Sequence, residues 1–348
     1  MRTGNFKETP GQLVALTDSK VVWSWTALLL VAMVAAPYLV GNYQLTLMVS
    51  ALIAIIGAVG LNMLTGTTGL ISLGQAGFLA VGAYTNAILM TDHGWPIFLS
   101  LPAAGIVSAI ISIFVGVPSL RLKGLYLAIT TLAFSFIINH IILYAEWLTH
   151  GPNGIFVSGA KLFGIDFQRG KALYYLALGI TVLIVFGALN IQRSRIGRAW
   201  MAIRDHDIAA RVMGVDLVRY KLLAFMISSF IVGIAGALIS IQIRFVNIDV
   251  FALILSIEAL AIIILGGMGS IAGAIMGAIF LSFLPEVIRL FFQLFADPNS
   301  SFYTTYVFEI RGIVYGIVIV LFLRLKPEGL IGLWRDVRKY WSNWPLAY

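Results

Sequence analysis

The chain has 348 residues, of which 60% are hydrophobic and only 11% charged, and its formal net charge is +8. Soluble domains carry about 25% charged residues, so this composition excludes an ordinary globular domain and fits an all-α protein that crosses a membrane many times. The absence of cysteine excludes disulfide scaffolds, thiolate metal sites and cysteine nucleophiles together.

A membrane span needs about 20 apolar residues. Breaking the chain at its polar interruptions gives ten such runs, near 21–40, 45–64, 70–90, 97–117, 125–143, 173–191, 222–243, 250–265, 271–294 and 310–323. Residues 1–20 are polar, and the run behind them is longer than a signal-peptide core of about 7–15 residues, so it is expected to be retained as a first helix. The domain plan is a segment 1–20, a transmembrane domain 21–323 that contains a polar loop at 192–221, and a tail 324–348. Ten spans put both termini on one face. With the loops at 118–124 and 192–221, that face holds 17 of the 23 Lys and Arg, which makes it cytoplasmic. Basic residues in short loops beside apolar runs also account for the positive charge without nucleic acid.

The third run opens on a tract crowded with glycine and hydroxyl groups: Gly66, Thr68, Gly69, Ser72, Gly74, Gln75 and Gly77. Such a tract predicts either a broken helix, whose bared backbone dipoles suit a path for polar cargo, or a very close helix contact. His140, nearer the outer end of its run, reads as a packing residue rather than a proton relay.

The loop 192–221 holds ten charged residues, seven of them basic, between two apolar runs. Its part 197–214 reads as a helix or a pair of short helices, with Trp200 and Ile203 on one face and Met201, Ile208 and Val212 on another. Such a segment lies in the headgroups or docks into a protein cleft. The three acidic residues among its charges favour docking.

Glu258 lies in the middle of an apolar run, where a charge is costly, so it is expected to face the bundle interior as a structural partner or a path residue. The second glycine tract, 266–277, matches a dinucleotide fingerprint by chance, since membrane-length runs flank it. Its Gly269, Gly273 and Gly277 read as a small-xxx-small packing series, which Ser229, Gly233 and Ala237 repeat. Glu286 and Arg289 read as a local helix pair.

No paired catalytic groups, zinc-protease motif, nucleophile elbow or phosphate-binding loop is present in the sequence. An enzyme is therefore not expected. Any ATP that drives this chain must be bound elsewhere, and no cofactor or metal is expected on it.

The residues carry a resemblance. Residues 207–214 (DIAARVMG) look like the segment through which ABC-importer permeases engage their ATPases. Residues 60–66 (GLNMLTG), 71–74 (ISLG), 197–204 (GRAWMAIR), 219–225 (RYKLLAF), 256–258 (SIE), 265–270 (LGGMGS) and 327–332 (PEGLIG) together resemble the LivM-type permeases of branched-chain amino-acid ABC importers. The chain differs from that pattern at Thr67, Leu70 and Gln75, where the family usually has an aromatic residue, Gln and His.

The resemblance implies a type II-like bundle of about ten helices in a bacterial inner membrane. It also implies a homologous second permease (LivH-like), two ABC ATPase subunits that bind ATP and Mg, and a periplasmic amino-acid-binding protein. Arg198, Trp200, Ile203, Arg204, Asp205, Asp207, Ala209, Ala210 and Gly214 would couple to the ATPase, and the first glycine tract with Glu258 would shape the path. Related permeases for urea, amides or aromatic acids would share these motifs. An ion-coupled secondary transporter would need no ATPase.

Overall fold

The computed structural model describes residues 20–119, 122, 124–157, 161–162, 165–167, 170–295, 313–314, 316–317, 319–321, 324 and 328–343. The helices are α1 Lys20–Leu39, α2 Asn42–Leu61 running on into a π-helical turn Asn62–Thr67, α3 Gln75–Thr91, α4 Ile97–Ser119 and α5 Leu125–Tyr144. They continue with α6 Gly170–Arg193, α7 Arg195–Asp205, α8 Asp207–Val212, α9 Leu217–Ile243, α10 Leu253–Gly266, α11 Ile271–Phe295 and α12 Gly329–Asn343.

Among the described residues, seven helices are long and apolar enough to cross a membrane, so the chain is an all-α, multi-pass membrane protein. They match seven of the ten expected runs. The apolar part of α1, Trp23–Leu39, is shorter. The run expected at 70–90 begins its helix only at Gln75 and has 17 residues. The described positions between 313 and 324 are helical, and the rest of the tenth run lies outside the described residues.

Two spans form the centre. The span Asn42–Thr67 is 78% buried and Leu217–Ile243 67% buried, against 33–44% for the other five, whose outward sides are apolar and suit a hydrocarbon surround. Helix α3 packs against the second of them, Leu217–Ile243, and backbone meets backbone there: a Cβ on Gly82 would overlap the carbonyl of Gly233, and one on Gly236 that of Leu79. Small residues give this approach because helices in lipid gain contact rather than hydrophobic burial.

Pro37 inside α1 leaves the Met33 carbonyl without its helical donor, and the Tyr174 hydroxyl of α6 donates to it at 2.8 Å. On the face opposite the 192–221 loop, Ile155–Phe156 pairs antiparallel with Phe245–Val246, tying the α5–α6 connection to the end of α9.

Two expectations need correcting. Gly273 and Gly277 pack against α10, where their Cβ atoms would meet the Gly266 and Ile262 carbonyls, but Gly269 sits in the turn before α11 with φ +84° and is not on the packing stripe. His140 is exposed and stacks on Tyr144 at 4.4 Å between ring centroids, rather than packing inside. Glu286 and Arg289 do pair, Nε to Oε2 at 2.9 Å, and the Tyr43 hydroxyl joins them at 2.7 Å.

Candidate functional site

The first glycine tract is both a broken helix and a close contact. Helical bonding ends in the π-turn, where the Thr68 hydroxyl takes the Met63 carbonyl at 3.1 Å and the Thr65 hydroxyl reaches forward to that of Leu70 at 3.1 Å. Residues 69–74 are not helical. Their bared N–H groups cannot stay unpaired in a membrane. Thr131 of α5 accepts from Leu73 N at 2.9 Å, Ser72 from Gly74 N at 3.2 Å, and Ser256 of α10 from Ala76 N at 2.8 Å. Three side chains, two of them from distant helices, thus stabilise the break and start α3. Gly74 and Gly77 lie so close to α5 that Cβ atoms would stand 2.8 Å from the Thr131 carbonyl and 3.0 Å from Ser135 Cα.

A cavity of about 580 Å³ lies on one side of this break. Thr46 and Ser50 of α2, Gln242 of α9, Glu258 of α10 and Ser282 of α11 give it polar points, and Ile53, Leu79, Ile239, Leu255 and Ile262 give it aliphatic walls. Gln75, 3% exposed, closes its inner end by donating from Nε2 to the Gly57 carbonyl at 3.1 Å. Gln242 Nε2 bonds Ser50 Oγ at 2.7 Å. Glu258 is half-buried on the wall, with no hydrogen bond or ion pair among the described residues. An aliphatic chamber with a lone carboxylate and several amide and hydroxyl groups suits a small solute that carries both charge and hydrocarbon.

On the opposite side of the break lies the polar loop, folded as two helices. Ser194 caps α7 by accepting from Ile196 N at 3.1 Å, and His206, extended at φ −158°, separates α7 from α8. Trp200 is wholly buried and donates from Nε1 to the Tyr220 carbonyl at 2.9 Å, while Ile203, Ala210 and Leu217 form a small apolar cluster beneath. Gly214, at φ +87°, ends the pair.

The two apolar faces expected here therefore differ in fate. Trp200, Ile203 and Ala210 anchor the pair to the membrane helices, and they present nothing outward. Of the other face, Met201 is 39% exposed and Ile208 and Val212 70% and 83%, and Met213 next to Val212 is 86% exposed; Arg198, Asp205, Ala209 and Arg211 are exposed too. Asp207 is half-buried. Arg204 is exposed as well, but its guanidinium reaches the membrane helices, with Nη1 donating to the Gly66 carbonyl at 2.5 Å.

The sequence missed Asn62, Gln192, Thr131 and Gln242. Asn62 was findable: it is a lone amide within an apolar run, fully buried, and its Oδ1 accepts from Gly269 N at 2.9 Å. Thr131 carries no sequence signal, because a threonine within a helix is unremarkable until its partner is known.

The family described as "Branched-chain amino acid transport system / permease component" matches residues 43–323. The chain is 35% identical over 339 residues to the high-affinity branched-chain amino acid transport system permease protein LivM of Salmonella typhimurium, covering 90% of this chain and 76% of that one. It is 35% identical over 335 residues to the protein of the same name from Escherichia coli K12, covering 89% and 75%. A more distant relative, the autoinducer 2 import system permease protein LsrC of Enterobacter, is 29% identical over 223 residues, 61% of this chain and 60% of that one. With a match over most of its length and such identity to two of the family's permeases, this chain belongs to the permease components of branched-chain amino acid transport systems.

Proposed function

We propose that this chain is the membrane-spanning permease subunit of an ATP-driven ABC importer that carries branched-chain or related amino acids across a bacterial inner membrane. The arrangement of the break supports this best: a cavity with aliphatic walls and one carboxylate on one side, and a docked helix pair with a free apolar ridge on the other. The Glu258 cavity is this chain's part of the solute path. The Ile208, Val212 and Met213 ridge is where an ATPase subunit seats, bringing ATP and Mg with it.

In this reading a homologous second permease completes the bundle, two ATPases drive it and a periplasmic binding protein delivers the solute. Both termini and the 192–221 loop face the cytoplasm, as the distribution of Lys and Arg favours, and about ten spans make a type II-like bundle. A second reading keeps the same machine with another small polar solute. Thr67, Leu70 and Gln75 favour it by departing from the family pattern, as does a relative named for autoinducer 2 import.

The test is uptake of labelled leucine into proteoliposomes holding this chain with the other permease, both ATPases and the binding protein. The expected result is uptake that needs ATP inside and loaded binding protein outside. Competition by urea, amides or aromatic acids but not by valine or isoleucine would favour the second reading. Uptake without any ATPase, driven by an ion gradient, would refute both.

A further inference from the structure

Three segments distant in sequence meet at Arg204. Its Nη1 donates to the carbonyl of Gly66, inside the π-turn, at 2.5 Å across 138 residues. The same guanidinium lies against Gly269, where a Cβ would overlap Nη1. Gly269 is held from two further sides: its N–H donates to Asn62 Oδ1 at 2.9 Å, and its carbonyl accepts from Gln192 Nε2 at 3.0 Å. Asn62 begins the π-turn and Gln192 lies in the last turn of α6, just before α7. From the far side, Ile331 of α12 presses on Gly267.

Side-chain size is excluded at both glycine contacts. A Cβ on Gly66 would overlap Asn62 Oδ1 and Gly269 N, so the π-turn and the 266–270 turn touch backbone to backbone. Arginine suits this place chemically. It carries five donors in a rigid fork and makes a charge-assisted bond to a carbonyl that the broken helix leaves without a helical donor.

The π-turn is also the segment best able to change register. Its extra residue can be lost to ordinary α-helical bonding, and such turns gather at functional sites. Asn62 Nδ2 is buried with no hydrogen-bond partner among the described residues, a spare donor at the hinge.

We propose that Arg204 is a positioning residue that latches the π-turn and the 266–270 turn to α7, so that α7 cannot shift without moving the cytoplasmic end of the broken helix. The inference rests on the importer reading above. Arg204, though exposed, then acts on the path through its guanidinium, and apolar partner contact falls to the exposed ridge of α8.

The experiment uses the assembled importer in proteoliposomes, with leucine uptake and ATP hydrolysis measured on the same vesicles for wild type, Arg204→Ala and Arg204→Lys. Arg204→Ala is expected to assemble and hydrolyse ATP but to take up about tenfold less leucine per ATP, the scale of one charged hydrogen bond. Arg204→Lys is expected to recover part of that ratio, since an ammonium keeps the charge and one donor. An unchanged ratio in Arg204→Ala overturns the latch. So does a parallel fall of uptake and hydrolysis that lysine does not relieve, because that is the signature of structural support alone. If Arg204→Ala does not assemble, Gln192→Ala removes the Gly269 tether instead: a lowered ratio supports the latch and an unchanged one overturns it. Wild-type uptake that needs no ATPase and follows an ion gradient removes the importer reading itself, and the latch with it.

Discussion

Trp200 fastens the polar loop to the membrane domain by two separable means, since the indole is wholly buried and its N–H bonds the Tyr220 carbonyl. Trp200→Ala should cost about 3–5 kcal/mol and Trp200→Phe only about 1 kcal/mol, read from thermal unfolding in detergent. Equal losses from the two substitutions would mean that the hydrogen bond, not packing, holds α7. Glu258 has the opposite character, a carboxylate on a cavity wall with no partner among the described residues. Glu258→Gln keeps its size and removes its ability to ionise, so leucine uptake should weaken about tenfold, read as a raised KM, while assembly stays normal. Both residues stand out in the sequence, one as an aromatic in a polar loop and one as an acid in an apolar run. What the sequence does not carry is direction, because whether Trp200 or Ile208 turns inward depends on what α9 offers beneath them.

At the scale of elements, the break between the π-turn and α3 depends on side chains supplied from elsewhere. Ser256→Ala removes the acceptor for Ala76 N and leaves a buried N–H unpaired, for about 1–3 kcal/mol, and Thr131→Ala should do the same to Leu73 N. The two sites lie on separate helices, so their effects should nearly add, which thermal unfolding of the single and double variants would check. Helix α8 makes the contrasting case. Val212→Asp falls on an exposed ridge, so it should shift the permease's own stability by no more than about 0.5 kcal/mol while sharply lowering the amount of ATPase that co-purifies. The glycine tract was legible as a choice between a broken helix and tight packing, since local chemistry allows both. Only the contacts of Gly74, Gly77 and Gly66 show that both occur together.

Across the whole molecule, the absence of cysteine makes orientation directly measurable. Trp147 and Met213 are 85% and 86% exposed at opposite ends of the bundle. In intact cells a membrane-impermeant thiol reagent should label Trp147→Cys, and it should reach Met213→Cys only after permeabilisation; the reverse pattern would invert the topology. By itself the sequence determined that the chain lives in a membrane, where its polar loops fall, and which family its motifs resemble, because hydropathy, charge placement and short motifs are local properties. Tertiary structure decided which face of the α7–α8 pair remains free, which side chains satisfy the broken helix, and that Gly269 belongs to a turn clasped by Asn62, Gln192 and Arg204 rather than to a packing stripe. The closure of the break by α5 and α10 and the clasp on Gly269 rest on bonds between residues 58 to 207 positions apart, where composition and periodicity carry no information.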